Sequence, residues 1–148
     1  MYPSRTRQRC EIPEINMTIT VVGNQELEFD SNIVNFLPKL RELFSEHTFI
    51  HQDPTENLTI PKDNWLIIDV AQGLSEITVF ADLKHFTKDK SLTAHDYDLY
   101  TDLMLLQKTN QLPAFSIIAV PMEMTPEEIE KKLPRILKET MSKFGPNN

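Results

Sequence analysis

Cysteine is almost absent from this sequence. Cys10 is the only cysteine among 148 residues, so an intramolecular disulfide is impossible and a zinc site built from several thiolates is excluded. A single thiol is also typical of proteins from a reducing compartment. Cys10 is distant in sequence from any candidate base, which argues against a catalytic thiol.

Glycine is equally scarce, with three in the whole chain. Loops that bind phosphate groups need several glycines at fixed spacing, so the dinucleotide-binding and P-loop fingerprints are excluded. The chain also lacks the G-x-S-x-G and H-E-x-x-H motifs, which removes the usual serine hydrolase and zinc peptidase patterns. Functional residues therefore have to be sought by their positions relative to predicted strands and helices.

Long apolar runs are missing as well. None approaches the length of a transmembrane helix, and no apolar segment follows the N-terminal arginines as it would in a secretory signal. We therefore expect a cytoplasmic protein without a membrane partner. With a formal net charge of -7, the chain is repelled by phosphate backbones, so nucleic-acid binding is not expected.

Positive charge is concentrated at one end of the chain. The first ten residues contain Arg5, Arg7 and Arg9 and no acidic residue. We expect residues 1–14 to form a mobile basic tail, with a docking arm as the alternative. Residues 15–148 fit one domain with its own core, since no internal repeat or change of composition marks a second.

Strand and helix patterns alternate along that domain. Runs rich in β-branched and apolar residues predict strands over residues 17–22, 48–51, 65–70, 76–81 and 115–120. Apolar residues at helical spacing predict helices over residues 31–46, 95–107 and 126–144, the last opened by a capping box at Thr125. Pro38 and Pro134 are expected to kink two of these helices. The predicted fold class is α/β, with helices covering a mostly parallel sheet.

Three potential metal ligands stand where predicted strands end or predicted helices begin: Asp30, Asp69 and His95. In an open α/β sheet, ligands bind beyond the carboxyl ends of the strands. Two carboxylates and an imidazole gathered there suit a divalent metal. Asp69 is the strongest of the three, because a carboxylate that closes an apolar strand is costly inside a sheet and is expected at its carboxyl edge.

Each of these residues also has an ordinary structural explanation. Asp69 fits a cap on a nearby loop or helix. Asp30 or Ser31 fits the N-cap of the first helix. His95 fits a structural or merely exposed histidine, and His51 has no partner pattern at all.

Short motifs surround the three residues in a fixed order. Along the chain they are Gly23-Asn24, Pro54-Thr55-Glu56-Asn57, Ile68-Asp69-Val70, Thr93-Ala94-His95 and Ile118-Ala119-Val120-Pro121. Asp30 comes seven residues after Gly23, and Leu99 four residues after His95. This order, over roughly residues 18–141, resembles the hydrogenase maturation endopeptidases, which trim the C-terminus of the large subunit of nickel-iron hydrogenases.

The resemblance implies a fold, an activity and a client. The implied fold is a three-layer α/β/α sandwich, phosphorylase/hydrolase-like, with a mostly parallel five-stranded sheet. Asp30, Asp69 and His95 match the family's metal-contacting residues, and are implied to be both the metal ligands and the catalytic residues of a metal-dependent endopeptidase. The implied partner is the precursor of a hydrogenase large subunit, which carries the nickel, although other divalent metals can substitute. Cleavage of its C-terminal extension lets that subunit close over its active site.

The sequence departs from the family where the family has glycine. The segment before the first helix, residues 28–33, contains no glycine, although the family uses small residues there to let a backbone come close. The family's glycine-containing turn after the second strand is replaced here by His51-Gln52-Asp53. A second family turn, before the following strand, is shortened here to Gln72-Gly73-Leu74-Ser75. These losses leave an alternative open, in which the chain is a non-catalytic binding or assembly module on the same fold.

Overall fold

The computed structural model describes residues 17–23, 28–53, 56–84 and 94–144, with the backbone alone described for residues 28–31 and 94–98. These residues form five strands and three helices: β1 (Thr18–Val22), α1 (Glu28–Leu43), β2 (Thr48–Gln52), β3 (Trp65–Ala71), β4 (Thr78–Phe80), α2 (Ala94–Lys108), β5 (Phe115–Pro121) and α3 (Pro126–Ser142). The α/β class is therefore confirmed, and each predicted strand and helix overlaps one of these elements. The predicted basic tail, residues 1–14, lies outside the described residues.

The strands form a five-stranded sheet in the order β2-β1-β3-β5-β4. Strands β1, β2, β3 and β5 are parallel, and β4 runs antiparallel to β5. The mostly parallel sheet is thus confirmed. Because β2 and β3 lie on opposite sides of β1, the strand order reverses between β1 and β3. In open α/β sheets the crevice at such a reversal, beyond the carboxyl ends of the strands, is the usual ligand site.

One face of the sheet packs against α1 and α3. Alternate residues of the central strands point to this face, as the two-residue period of a strand requires. They form one buried cluster with apolar residues at helical spacing on the two helices: Ile19, Val21, Leu66, Ile68, Val70, Ile33, Leu37, Leu40, Ile129, Leu133 and Leu137. Burial of this much apolar surface is the main source of stability for the sheet.

The other residues of the central strands belong to a second buried cluster, which packs against α2. It contains Trp65, Ile67, Ala71, Ile117 and Ala119 of the sheet and Leu99, Leu103 and Leu106 of the helix. Within this side of the sheet, Trp65 Nε1 donates a hydrogen bond to Thr20 Oγ1 across 2.8 Å. Both residues are completely buried, so the Thr20 hydroxyl oxygen supplies the acceptor that the buried indole N–H needs.

Helix α3 begins with the capping box that the sequence predicts. Thr125 Oγ1 accepts a hydrogen bond from the Glu128 backbone N–H, and a Glu128 carboxylate oxygen accepts one from the Thr125 backbone N–H, each across 3.2 Å. The hydrogen bonds from Thr125 hold the pKa of the exposed Glu128 carboxyl below its ordinary value. The predicted helix end near residue 144 is close to the observed end at Ser142.

Helix α1 differs from its prediction at both ends. It begins at Glu28, three residues earlier than expected, and ends at Leu43, followed by a turn over residues 44–46. The apolar stripe from which the helix is predicted begins at Ile33, whereas the helix itself begins five residues earlier. Helices α1 and α3 also continue through Pro38 and Pro134, so neither proline ends its helix.

Strand β4 is shorter than predicted, spanning Thr78–Phe80.

None of the helices in the described part of the chain has the length and apolar character that crossing a bilayer requires.

Candidate functional site

Asp69 lies inside β3, at the level where β1 ends. In the sheet register it is aligned with Val22, the last residue of β1, and with Ala119 of β5. Strand β3 continues two residues beyond it, to Ala71, so Asp69 is not the closing residue of the strand. The residue therefore stands at the reversal of strand order between β1 and β3, near the carboxyl edge of the sheet.

The carboxylate of Asp69 is almost completely buried, with 1% of the residue exposed. Alternation along β3 places it on the same face as Trp65, Ile67 and Ala71, which belong to the cluster packed against α2. Asp69 takes part in a polar interaction, and its Oδ2 atom receives no hydrogen bond from any residue that the structure describes. A carboxylate in such surroundings is costly unless hydrogen bonds or a cation compensate it.

Gln52 is the neighbour of Val22 on the other side of β1. Its side chain is buried and donates from Nε2 to the Asn57 carbonyl oxygen across 3.0 Å, while Oε1 accepts from the Thr59 N–H across 3.2 Å. Gln52 thereby fastens the loop after β2 to the carboxyl edge of the sheet. Part of the Pro-x-Glu-Asn motif lies in this loop, and residues 54–55 of that motif are outside the described residues.

Gly23, directly after β1, is held by two hydrogen bonds to β2. Its N–H donates to the Gln52 carbonyl oxygen across 3.1 Å, and its own carbonyl oxygen lies 2.8 Å from His51 Nε2. A carbonyl oxygen only accepts, so His51 Nε2 carries the proton. No role for His51 was predicted from the sequence. The signal that would have found it is its position at the end of a strand parallel to β1, which places it beside Gly23.

Asp30 and His95 each lie in the first turn of a helix. Asp30 is the third residue of α1 and His95 the second residue of α2. The interpretation of Asp30 or Ser31 as the N-cap is therefore wrong, because α1 begins before them. The side chains of Asp30 and His95 lie outside the described residues, so their gathering with Asp69 stays a prediction.

The path of the backbone brings both helix starts to the carboxyl edge of the sheet. Helix α1 follows the carboxyl end of β1 and begins six residues after Val22. The other end of α2 lies at the amino edge, since Gln107 lines the same cavity as Phe115, the first residue of β5. At 1.5 Å per residue, α2 is about 22 Å long, close to the length of a seven-residue strand. We therefore expect its first turn towards the carboxyl edge.

A complete metal centre is not visible among the side chains that the structure describes: no three His, Cys, Asp or Glu residues are grouped to hold an ion. Asp69 is thus the one member of the predicted ligand set whose surroundings are known, and its burial at the strand-order reversal agrees with a site there.

No protein-family model, curated protein or solved structure matches this chain. The likeness to the hydrogenase maturation endopeptidases therefore rests on the order of the sequence motifs alone.

Proposed function

We propose that this protein is an endopeptidase that recognises nickel in the immature large subunit of a nickel-iron hydrogenase and removes the C-terminal extension of that subunit. The observation that carries the proposal is the buried carboxylate of Asp69 at the strand-order reversal between β1 and β3. A ligand site is expected at this point of an open α/β sheet. The type of reaction and the client are inferred from the order of the sequence motifs, which resembles that of the hydrogenase maturation endopeptidases.

In this proposal Asp30, Asp69 and His95 bind the nickel that the client carries. Carboxylate oxygens and an imidazole nitrogen are suitable donors for a first-row divalent metal. The starts of α1 and α2 at the carboxyl edge support the assignment, because each helix carries one of the other two donors in its first turn. The client's metal would supply Lewis-acid activation of the scissile peptide.

The proposal also includes a finer architecture and a location. The fold would be a three-layer α/β/α sandwich, with α1 and α3 on one face and α2 on the other. The two separate buried clusters support this layering. The location would be the cytoplasm, which the single cysteine favours.

The experiment is incubation of the protein with a nickel-loaded large-subunit precursor that keeps its C-terminal extension. We expect mass spectrometry to show loss of the extension with the wild-type protein and no loss with Asp69→Asn. Asp63→Asn is the matched control, because Asp63 is an exposed acid shortly before β3. A precursor that stays full length with an excess of folded wild-type protein would contradict the peptidase activity.

A binding or assembly module on the same fold is the second candidate function. The observation that favours it is that α1 already begins at Glu28, so the segment that is a glycine-containing loop in the family is helical here. A helix allows less room for a client backbone than such a loop does. Saturable binding of the precursor without any shortening would select this candidate over the peptidase.

A further inference from the structure

A groove of about 370 Å³ runs between α1 and α3. Helix α1 lines it with Asn32, Asn35 and Phe36, and α3 lines it with Glu127 and Glu130. The α1 residues are spaced at i, i+3 and i+4, so they form one stripe along the helix. Because α1 and α3 cover the sheet face opposite to Asp69, this groove lies on the other side of the sheet from that carboxylate.

The groove has the chemistry of a surface that binds a peptide main chain. An asparagine amide carries both donors and an acceptor, which match the C=O and N–H groups of an extended chain. Asn32 Nδ2 donates to the Met124 carbonyl oxygen across 3.4 Å, which fixes its amide with the Oδ1 acceptor directed away from Met124. Phe36 is half-buried against the core and adds an apolar contact between Asn32 and Lys39.

The negative charge of the groove favours an occupant with positive charge. Glu127 and Glu130 are exposed and one helical turn apart on the α3 side, whereas Lys39 is the one basic residue among those that line the groove. The whole chain carries a formal net charge of -7, which also attracts cationic partners over longer distances. A phosphate-bearing occupant is disfavoured for the same reason.

We propose that this groove binds an extended segment of a partner protein, with an arginine or lysine of that segment placed on Glu127 and Glu130 and its main chain on the two asparagines. The inference goes beyond the proposed function, because it requires neither a metal nor cleavage. If the partner is the client of the peptidase, the groove holds a part of it on the sheet face opposite to Asp69.

The test is an NMR titration of the full-length, isotope-labelled protein with a capped hexapeptide, acetyl-Ala-Val-Arg-Val-Ala-Ser-amide. We expect saturable shifts of the backbone signals of Asn35, Phe36 and Glu130, and an affinity that falls as salt is added. The same peptide with glutamate in place of arginine should give no saturable shift. Equal binding of both peptides, shifts that map elsewhere, or no binding of the arginine peptide would overturn the proposal.

Charge-reversal variants separate the groove from a general attraction to the acidic surface. Glu130→Lys should weaken binding of the arginine peptide by about three- to tenfold, as expected for reversing one exposed ion pair. Glu139→Lys is the matched control, since Glu139 is also exposed on α3 but does not line the groove. Equal weakening by the two variants would mean that the net charge alone attracts the peptide. Neither result depends on cleavage, so the test fails or succeeds independently of the proposed peptidase.

Discussion

His51 and Gly23 join the ends of two parallel strands, with the imidazole Nε2 donating to the Gly23 carbonyl oxygen across 2.8 Å. The bond fixes the orientation of the Gly23 carbonyl group directly after the end of β1.

Replacement of His51 tests how much this hydrogen bond contributes to stability. His51→Leu removes the donor, so we expect the free energy of unfolding to fall by about 1 kcal/mol, as for a typical lost hydrogen bond. His51→Gln keeps an N–H donor and should recover part of that loss. Urea denaturation measures both. If His51→Leu and His51→Gln are equally stable, the bond to Gly23 contributes nothing.

The buried pair Trp65 and Thr20 gives a second prediction. Thr20→Val leaves the indole N–H without its acceptor inside the second cluster, which should destabilise the fold by about 1–3 kcal/mol. Trp65→Phe removes the donor and leaves space as well. A double-mutant cycle measured by circular dichroism should show that the two losses are not additive. Strict additivity would contradict an energetically important hydrogen bond.

The capping box of α3 predicts a pH dependence. Because the folded protein lowers the pKa of Glu128, this carboxylate contributes stability above its ordinary pKa of 4.5, and the contribution is lost as the pH falls through the lower folded value. Thr125→Ala removes the hydrogen bonds that cause the shift. It should cost about 1 kcal/mol near neutral pH and reduce this acid-side slope.

Chemical denaturation of wild type and Thr125→Ala across the acid range measures both effects. Thr109→Ala is the control, because it makes the same change of side chain at a threonine that follows the end of α2 and caps no helix N-terminus. An unchanged pH slope in Thr125→Ala would show that Glu128 is not held by the capping box.

The predicted ligand set makes metal binding depend on Asp69 and on pH. Calorimetric titration with nickel should give weaker binding for Asp69→Ala than for wild type or Asp63→Asn. Imidazole binds a metal only when neutral, so affinity should also fall between neutral pH and about pH 5.5. Identical nickel titrations of wild type and Asp69→Ala would mean that Asp30, Asp69 and His95 do not form a metal site and have structural roles only.

Features with a strong local signal could be predicted from the sequence. All seven residues of β3 are buried, as expected for an unbroken apolar run in a central parallel strand. The capping box located the start of α3 correctly. The antiparallel direction of β4 also had an unused signal: only six residues separate it from β3, too few for a crossover between parallel strands.

Features that depend on contacts distant in sequence could not be predicted. The start of α1 was missed because its apolar stripe was counted from Ile33, so Asp30 was expected to precede the helix. The role of His51 depends on the register between β1 and β2. The groove between α1 and α3 requires the packing of two helices that are distant in sequence, which residue spacing on either one does not reveal.

The most direct test of the central claim compares two forms of one client, a hydrogenase large-subunit precursor with and without nickel. Mass spectrometry after incubation with the wild-type protein measures the length of each precursor. We predict that the nickel-loaded form loses its C-terminal extension and that the nickel-free form keeps it. Loss of the extension from both forms would contradict recognition of the metal, and retention by both would contradict the peptidase activity itself.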